Sequence, residues 1–442
     1  MVAMEWYWVI TLYIGALILI MFTGLPIAFS FLAVSGGAMF MMFGTVGIRQ
    51  LVLGIQYQLS NFAFTAIPFF IIMGEVFFRS GIITRVMDTF SKLVRKVPGR
   101  LCVITMLGGG VFAALSGSSL ANIVMLGALM MPEMMRRGYC VKLTTGTIMT
   151  SGSLAMVIPP SNLLILLGGI AGISVADLIL GAIIPGFLIA ALFLGFIILR
   201  CFINPSLAPP SPDDDKFAEL SAFAKLKEFS KNILPLIIVM AAVIGTIMFG
   251  IGTATEAATI GALASFGLTI AYGKFNFKLV VDCLIGSLRS TVMLLTIIAG
   301  SAGFGQVLAL TGASRAAVIA VTGMVDSPMT VLLVMLGITF FIDLWVSEGA
   351  TMMICLPLFM PLVHAYGINE VWFGIIFLFV VLIGQYTPPV GMALFAMKGA
   401  SPPSISFQEI MWGGAPFLIV MFAMVILMLF FPGLVTMIPS AF

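Results

Sequence analysis

Stretches of about 20 apolar residues recur along the whole chain, and short loops with a few charges separate them. A helix needs about 20 such residues to cross the hydrocarbon core of a bilayer, so roughly ten to twelve spans fit, with some shorter re-entrant pieces. The runs are continuous, whereas the strands of a membrane barrel alternate apolar and polar positions. The pattern therefore predicts an all-α polytopic membrane protein whose spans contact lipid.

The composition supports this class. Of the 442 residues, 61% are hydrophobic and 8% are charged, and the mean hydropathy is +1.22. Soluble domains contain about 45–50% apolar and about 25% charged residues. The net charge of +3 comes from basic residues scattered among the loops, which argues against nucleic acid as a partner. The five cysteines stand apart and the chain has one histidine, so we expect neither a transition-metal cluster nor a prosthetic group.

The longest polar segment divides the chain near its midpoint. Residues 201–232 contain prolines, three consecutive aspartates and a lysine-rich stretch. Within 216–231 the apolar residues fall close to helical spacing and the lysines take the other side, which favours a short amphipathic helix at the membrane surface over a flexible loop. We therefore expect an N-terminal unit over 1–200, a linker over 201–232 and a C-terminal unit over 233–442.

An ungapped offset of 229 positions brings helix-breaking residues of the two units into register. It superposes Ser118 on Ser347, Pro132 on Pro361, Gly138 on Gly367, Pro159 on Pro388 and Pro160 on Pro389. Single apolar matches are expected by chance in so hydrophobic a chain, but three prolines and a glycine in one register are not. The match predicts a structural repeat, which is a common architecture of secondary transporters.

Two basic clusters bracket one long apolar segment. The segment 79–100 carries six basic residues and one acid, and Arg136, Arg137 and Lys142 form the second cluster. By the positive-inside rule both clusters belong on the cytoplasmic side, yet one simple span would place them on opposite sides. A broken or double-back helix between the clusters would remove this conflict.

Four segments combine helix breakers with small hydroxyl residues, two in each unit. They are 116–122 (SGSSLAN), 158–162 (IPPSN), 252–258 (GTATEAA) and 384–391 (GQYTPPVG). Non-helical backbone at membrane depth is tolerated only where protein buries it or where it lines a site. Carbonyls and hydroxyls are the ligands that a hard cation such as sodium prefers, and a following helix N-terminus attracts an anion. This composition indicates a cation-coupled anion site.

Each of these features also has a purely structural explanation. Serine and glycine often serve close helix packing in membranes, and a double proline ends or kinks a helix. Glu256 is either a functional intramembrane acid or a cap in the first turn of a helix, and Asp343 and Glu348 face the same alternatives. The segment 66–75 (AIPFFIIMGE) fits either the tip of a re-entrant hairpin or a kinked span.

Together these motifs resemble the large membrane subunit of tripartite ATP-independent periplasmic (TRAP) transporters. AIPFFIIMGE, SGSSLAN, IPPS, GTATEAAT and GQYTPPVGMALF occur in the family's order and spacing, over nearly the whole chain. The resemblance implies a bacterial inner-membrane secondary transporter with two inverted repeats, each with a re-entrant hairpin and a broken helix, and a transport domain that moves past a scaffold like an elevator. It also implies sodium-coupled import of a carboxylate-bearing solute, with a periplasmic substrate-binding protein and a small four-helix membrane subunit as partners.

The resemblance also places the elements and the ligands. The hairpins are expected near 59–80 and 245–268, and the broken helices near 116–119 and 347–349. The expected sodium ligands are Ser116, Gly117, Ser118, Thr253, Thr255, Gly384 and Thr387. The expected substrate contacts are Asn122, Pro159, Pro160, Ser161, Asn162, Glu256, Ser347, Pro388 and Pro389. Two positions depart from the family's pattern, since Ala254 replaces the proline of TPTEAA and Cys140 replaces the aspartate of GYD.

Two other functions share some of these residues. An intramembrane serine protease would use Ser116 or Ser118 as its nucleophile and His364 as its base. The offset superposes His364 on Met135, beyond the break rather than beside it, which argues against that role. An ion channel would use rings of hydroxyls as a filter, but it would explain neither the matched breaks nor the TEAA motif. A carrier is therefore favoured.

Overall fold

All regular secondary structure is helical in the residues that the computed structural model describes, which are 6–21, 23–94, 97–209 and 221–441. Within these ranges six helices are long and apolar enough to cross a membrane, and the number rises to eight if two sharply bent helix pairs each count as one span. The predicted all-α polytopic class is confirmed.

The helices fall into a similar order before and after the linker. The N-terminal half contains α1 (Trp6–Met21), α2 (Ile27–Leu59), α3 (Ala66–Arg79), α4 (Ile82–Leu93), α5 (Arg100–Ser116), α6 (Ser119–Arg136), α7 (Val141–Ser153), α8 (Asn162–Ala171) and α9 (Val175–Ile203). The linker contains α10 (Ala222–Asn232). The C-terminal half contains α11 (Leu234–Met248), α12 (Ala254–Ala271), α13 (Phe277–Leu310), α14 (Ala313–Thr322), α15 (Pro328–Asp343), α16 (Glu348–Ala365), α17 (Glu370–Gly384), α18 (Met392–Ala400), α19 (Phe407–Phe430) and α20 (Gly433–Thr436).

Helix bounds in the two halves match at the 229-residue offset. Helices α6 and α16 each have 18 residues, and their first residues are separated by that offset. Glycines with positive φ recur at the same spacing: Gly138 (φ 75°) matches Gly367 (φ 62°), and Gly44 (φ 60°), at a kink inside α2, matches Gly273 (φ 65°), in the turn before α13. Glycine adopts this backbone without the steric cost that other residues incur. The chain therefore changes direction at equivalent glycines in the two halves.

The long helix α13 runs antiparallel to α2 and α3. Gln306 of α13 donates a hydrogen bond to the Gln50 carbonyl (2.8 Å), and Gly286 faces Glu75. Gln306 and Gly286 are 20 residues apart, which corresponds to about 30 Å of helix. The chain from Gln50 to Glu75 therefore advances along α13 and does not double back, so the hairpin predicted near 59–80 is wrong.

The predicted tip of that hairpin is a junction between two helices. A 3₁₀ turn (Phe62–Thr65) links α2 to α3, and Pro68 lies in the first turn of α3. The N–H groups of a first helical turn have no partner within the helix, so a proline there removes no helical hydrogen bond. Pro68 therefore starts a helix and does not reverse the chain.

Helices α5 and α6 form a hairpin with its tip at Gly117. A Cβ on Gly109 of α5 would lie 2.8 Å from Leu126 Cδ1 of α6. At the open end, the Leu101 N–H donates a hydrogen bond to the Tyr139 hydroxyl (3.3 Å). Residues progressively earlier in α5 face residues progressively later in the chain, which is the arrangement of an antiparallel helix pair.

This hairpin replaces the broken helix predicted near 116–119. The backbone turns at Gly117, whose φ of 61° lies in the left-handed region, and the chain then reverses its direction. The reversal brings the basic clusters before α5 and after α6 to the same end of the hairpin. Of the two arrangements that would remove the orientation conflict, the double-back one is formed.

Helices α15 and α16 form the equivalent hairpin in the C-terminal half. Thr339 of α15 lies beside Cys355 of α16. Near the open end, the Tyr366 hydroxyl donates to the Val325 carbonyl (2.5 Å). The tip lies between the two helices, at 344–347. The broken helix predicted near 347–349 is therefore also wrong, because a hairpin begins its second arm there.

The helix breaks follow the hairpins and lie at the double prolines. One break separates α7 from α8 and contains Pro159 and Pro160, and the other separates α17 from α18 and contains Pro388 and Pro389. Proline has no N–H and its ring clashes with the preceding turn, so each pair interrupts its helix. Both Pro–Pro peptide bonds are cis. Each half thus contains a hairpin that is followed by a broken helix. In the N-terminal half, both lie later in the chain than the predicted hairpin and the predicted broken helix.

Helices α11 and α12 also double back, within the range 245–268 in which a hairpin is predicted. A Cβ on Gly261 of α12 would lie 2.8 Å from Val243 Cγ2 of α11, and the turn between the helices is at 249–253. The TEAA motif opens α12 directly after this turn. It serves there as the start of a helix.

The linker helix α10 packs on α4 through polar contacts. Lys92 of α4 pairs with Glu228 (3.0 Å), while Phe223 and Leu226 are exposed. An apolar outer face of this kind is typical of a helix at a membrane surface. The first part of the predicted amphipathic stretch lies outside the described residues, with the rest of 210–220.

Helices α7 and α17 occupy the centre of the bundle. Residues 373–384 of α17 and 143–153 of α7 are buried. Helix α17 is apolar on nearly all sides, which is typical of a helix that its neighbours bury, whereas α7 buries threonines and serines as well. A Cβ on Gly146 of α7 would overlap the Gly413 carbonyl oxygen of α19, so these two backbones approach closely. The two central helices are the ones that the double prolines interrupt.

Candidate functional site

In the N-terminal half, the hairpin tip lies against the helix break. A Cβ on Gly117 would lie 3.1 Å from the Asn162 side chain, which begins α8. The Ser116 Oγ donates a hydrogen bond to Asn122 Oδ1 (2.8 Å), and Asn122 Nδ2 donates to the Gly152 carbonyl (3.4 Å). Four of these five residues are predicted site residues, and the fold brings them together.

Two helix N-termini meet at this point. Helix α6 begins after Ser118 and α8 begins after Ser161, and neither serine caps its helix with a side-chain hydrogen bond. The first N–H groups of a helix have no partner within it and favour a negative charge. The Ser161 Oγ is buried and has no hydrogen-bond partner among the described residues. Hydroxyl and amide groups at this position are therefore available to a ligand.

In the C-terminal half the hairpin tip also lies against the helix break, but the side chains there are different. The Val390 N–H in the break donates to the Leu344 carbonyl at the hairpin tip (3.2 Å). Thr351 Oγ1 donates to Asp343 Oδ1 (2.7 Å). Any side chain on Gly384 would overlap the Asp343 carboxylate, so the absence of a Cβ lets that carboxylate approach the end of α17. Gly384 is a predicted sodium ligand, whereas the sequence left the role of Asp343 open.

A hydrogen bond joins the two breaks. The Tyr386 hydroxyl donates to Ser153 Oγ (2.7 Å), and both residues are 1% exposed. The sequence analysis missed this pair, although Tyr386 belongs to the GQYTPPVG motif. The contact brings both hairpin tips and both breaks into one central region.

The two breaks differ in exposure. Pro159, Pro160 and Ser161 are buried, whereas Pro388 and Pro389 are exposed. Of the remaining predicted residues, Ser347 and Thr387 are partly buried, and Thr387 Oγ1 donates to the carbonyl four residues earlier in its own helix (2.9 Å). The double prolines of the two halves therefore meet different surroundings.

Three predicted site residues lie away from the hairpin tips. Thr253 and Thr255 line a cavity of about 430 Å³ beside Gly172, at the far end of α8. Glu256 is exposed, and it forms a capping box in which its carboxylate accepts from the Thr253 N–H (2.7 Å). Of the two explanations for Glu256, a helix cap is the one that this geometry supports.

The serine and histidine of the alternative protease lie apart. His364 shares a cavity of about 260 Å³ with Ile170, near the end of α8, and its Nε2 lies 3.0 Å from Glu370. Ser116 belongs to the hairpin tip that lies against Asn162, at the start of α8. The helical rise between Asn162 and Ile170 is about 12 Å, so no nucleophile–base pair forms.

Paired hairpins and broken helices that meet inside a polytopic helical bundle are typical of a membrane transport protein. The chain belongs to the family described as the DctM component of the tripartite ATP-independent periplasmic transporter, whose family model matches residues 14–434. The family suggested by the sequence motifs is thereby confirmed.

Three relatives illustrate the range of the family. The 2,3-diketo-L-gulonate TRAP transporter large permease protein YiaN of Escherichia coli is 27% identical, over 96% of this chain and 98% of its own. The C4-dicarboxylate TRAP transporter large permease protein DctM of Pseudomonas aeruginosa is 27% identical, over 92% and 93%. The sialic acid TRAP transporter large permease protein SiaM of Vibrio cholerae is 26% identical, over 96% of each chain.

A solved structure shares the fold at low sequence identity. The YdaH transporter of Alcanivorax borkumensis superposes with a TM-score of 0.63 and 17% identity, over 89% of this chain and 90% of that one. The chain is thus a multi-pass protein of the bacterial inner membrane and a permease subunit, not an enzyme. Large permeases of this family work with a small permease subunit and a periplasmic binding protein.

Proposed function

We propose that this chain imports a carboxylate-bearing solute together with sodium. A periplasmic substrate-binding protein delivers the solute, and a small four-helix membrane subunit completes the permease. The named substrates of the three relatives are all organic acids, which supports a carboxylate. Co-transport of sodium offsets the charge of the anion and couples its movement to the membrane potential, at about 2.3 kcal/mol per charge per 100 mV.

The observation that carries the proposal is the meeting of hairpin tip and helix break in the N-terminal half. Two helix N-termini and the unpartnered Ser161 hydroxyl converge there, beside the Ser116 and Asn122 side chains. Helix N-termini bind a carboxylate, and hydroxyl and carbonyl oxygens bind sodium. We assign the anion to Ser161, Asn162 and Asn122.

Sodium is assigned to the oxygens of the two tips and breaks. In the N-terminal half these belong to Ser116, Gly117 and Ser118, and in the C-terminal half to Gly384 and Thr387. The assignment of these residues to sodium is supported by their position, since each lies at a hairpin tip or in a helix break. Thr253 and Thr255 line the separate cavity and are assigned a secondary role.

The proposal includes inverted repeats and an elevator movement. At the 229-residue offset the second half of α2, together with α3, is equivalent to α13, and these equivalent stretches run antiparallel along each other. Antiparallel packing of equivalent elements is the relationship that an inverted repeat requires. The long α13 would belong to the scaffold, and the hairpins and broken helices would form the moving domain.

Thermal unfolding of the purified chain in detergent tests the sodium coupling without a known substrate. Tm is measured in sodium and in potassium at equal ionic strength. A ligand at about 100 times its Kd stabilises the folded state by about 2.7 kcal/mol, so sodium should raise Tm and potassium should not. The Ser118→Ala and Thr387→Ala variants should lose part of this rise.

The control is Ser406→Ala, which removes a helix cap on the exposed start of α19. It should lower Tm equally in both salts, because the cap stabilises the fold and binds no ion. Equal Tm values for the native chain in sodium and potassium would contradict the sodium coupling. An unchanged sodium effect in both site variants would contradict the ligand assignment alone.

A further inference from the structure

An apolar cavity lies between the N-terminal hairpin and the helix that follows the linker. It has a volume of about 460 Å³ and is lined by residues of α5, α9 and α11, together with Leu154 and Ile158 between α7 and α8. Every lining residue is a glycine or has an apolar side chain. Such a cavity offers water no hydrogen-bond partner and stays dry. Its occupant must therefore be apolar.

The cavity is open to the lipid-facing surface of the bundle. Phe187 of α9 and Ile237 of α11 line it, and these side chains are 58% and 43% exposed. Along α11 it extends from Leu236 to Ile244, which corresponds to about 12 Å of helix. A volume of about 460 Å³ over that length is narrower than a helix, whose diameter with side chains is about 10–12 Å. An unbranched acyl chain fits this shape, whereas a helix of a partner protein does not.

Unpaired basic groups lie at one end of the cavity. Helix α10 meets α11 at a bend of 50°, and Lys227 and Lys231 of α10 are exposed. Neither lysine forms an ion pair with another described residue. Lys231 precedes Leu236, the first residue of α11 that lines the cavity, by five positions. A ligand whose acyl chain enters the cavity at this end places its polar part beside the lysines.

This end of the cavity lies at the cytoplasmic surface of the membrane. Helix α10 pairs with α4 through Glu228 and Lys92, and α4 belongs to the basic segment 79–100, which the positive-inside rule places in the cytoplasm. The exposed Phe223 and Leu226 of α10 suit the headgroup layer. Anionic lipids of the cytoplasmic leaflet attract basic residues beside the membrane. The apolar cavity and the lysines thus complement the two parts of one lipid molecule.

We infer that a phospholipid with an anionic headgroup binds here, with its headgroup at Lys227 and Lys231 and one acyl chain in the cavity. The chain gives contact partners to apolar side chains that would otherwise line a void, and the lysines pair with the phosphate. A zwitterionic lipid binds less tightly, because its own cation competes with the lysines. The inference depends neither on sodium nor on the transported solute.

Photochemical labelling of the purified full-length chain in detergent tests the position of the acyl chain. The probe is phosphatidylglycerol with a diazirine near the end of one acyl chain, and peptide mass spectrometry locates the labelled residues. Labels should concentrate in 106–114 of α5 and 187–194 of α9. Ala191→Phe fills the cavity from an exposed position and should lose this labelling. The control is Ala242→Phe, which adds the same ring at an exposed position of α11 that does not line the cavity and should keep the native labelling.

Charge variants test the position of the headgroup. Lys227→Gln and Lys231→Gln should each raise the probe concentration for half-maximal labelling about fivefold, which is the contribution of one basic residue at an anionic membrane surface. Both lysines are exposed, so Tm should stay native. The control is Arg315→Gln, which removes an exposed charge from α14, a helix that packs on α1, α13 and α16, and it should leave the labelling unchanged.

Competition with unlabelled lipid tests the selectivity. Phosphatidylglycerol should displace the probe from the cavity, and phosphatidylcholine should not. Equal displacement by the two lipids, or native labelling in both lysine variants, would overturn the inference, because any bilayer lipid would then fill the cavity. Labels spread evenly over the lipid-facing surface, or native labelling of the cavity in Ala191→Phe, would overturn it as well. These outcomes leave the proposed sodium coupling untouched, since that is measured without added lipid.

Discussion

The Tyr386 hydroxyl lies 2.7 Å from Ser153 Oγ, and this hydrogen bond joins the two broken helices at the centre of the bundle. The partners are 233 residues apart in sequence, and both are almost fully buried. Ser153 is the last residue of the first segment of one broken helix, and Tyr386 lies two residues after the first segment of the other. The bond therefore fixes the distance between the two breaks and hence between the two halves of the proposed site.

Removal of this hydrogen bond should destabilise the fold. We expect Tyr386→Phe to lower the stability by about 1–3 kcal/mol, because the buried Ser153 hydroxyl loses its partner. Ser153→Ala should have a similar effect, since it leaves the tyrosine hydroxyl unpaired. The measurement is Tm in detergent for both single variants and for the double variant. The double variant should cost less than the sum of the two, and additive losses would contradict an energetic coupling between these residues.

The rise in Tm that sodium causes should depend on Gly117, because only glycine leaves room for the Asn162 side chain there. Gly117→Ala places a Cβ 3.1 Å from the Asn162 side chain and in a left-handed backbone (φ 61°). Holding alanine in this left-handed conformation costs about 1–2 kcal/mol. The contact of its Cβ should displace Asn162 from the hairpin tip. We therefore expect a lower Tm together with a smaller difference between sodium and potassium.

Gly172→Ala is the matched control for this variant. Gly172 also has a left-handed backbone (φ 74°), but a Cβ there meets nothing within 4 Å. Its Tm should fall by a similar amount in both salts, with the full sodium effect retained. If Gly117→Ala behaved in the same way, the contact with Asn162 would have no part in ion binding.

The sequence identified where the chain breaks but not which way it continues. Gly117 and its neighbouring serines are equally suited to a kink within one span and to the tip of a hairpin, because both need small residues and a break in the helix. The direction is set by packing between distant segments, such as Gly109 against Leu126. The only sequence signal for a reversal was the pair of basic clusters, which could not lie on one side after a simple span.

The central contacts could not be predicted for a related reason. Tyr386 and Ser153 meet across 233 residues, and no local pattern specifies such a pair. The double prolines, in contrast, act through their own backbone, so the chain breaks at them whatever surrounds them. Features that act locally were therefore predictable, whereas the approach of the Asp343 carboxylate to Gly384 depends on the whole fold.

Close packing of α7 against α19 should make Gly146 sensitive to a single methyl group. A Cβ at Gly146 would overlap the Gly413 carbonyl oxygen and lie 2.6 Å from Phe417. Overpacking of this kind costs about 1–3 kcal/mol, so Gly146→Ala should lower both Tm and the yield of monodisperse protein. The control is Gly195→Ala in α9. A Cβ there meets nothing within 4 Å, and alanine is a better helix former than glycine, so Tm should not fall. A native Tm for Gly146→Ala would show that the helices separate at little cost.

Glu256 should act as a helix cap and not as a substrate ligand. Its carboxylate accepts from the Thr253 N–H (2.7 Å) at the exposed start of α12. Glu409 accepts from the Ser406 N–H (2.8 Å) in the same capping box at the start of α19. Because both acids cap a helix through the same hydrogen bonds, Glu256→Gln and Glu409→Gln should lower Tm by similar small amounts in sodium and in potassium. The comparison is made on the purified chain, and both variants should keep the native sodium effect. A sodium effect that is lost in Glu256→Gln and retained in Glu409→Gln would contradict a purely structural role for Glu256 and would place it, with Thr253 and Thr255, in ion binding at the cavity beside α8.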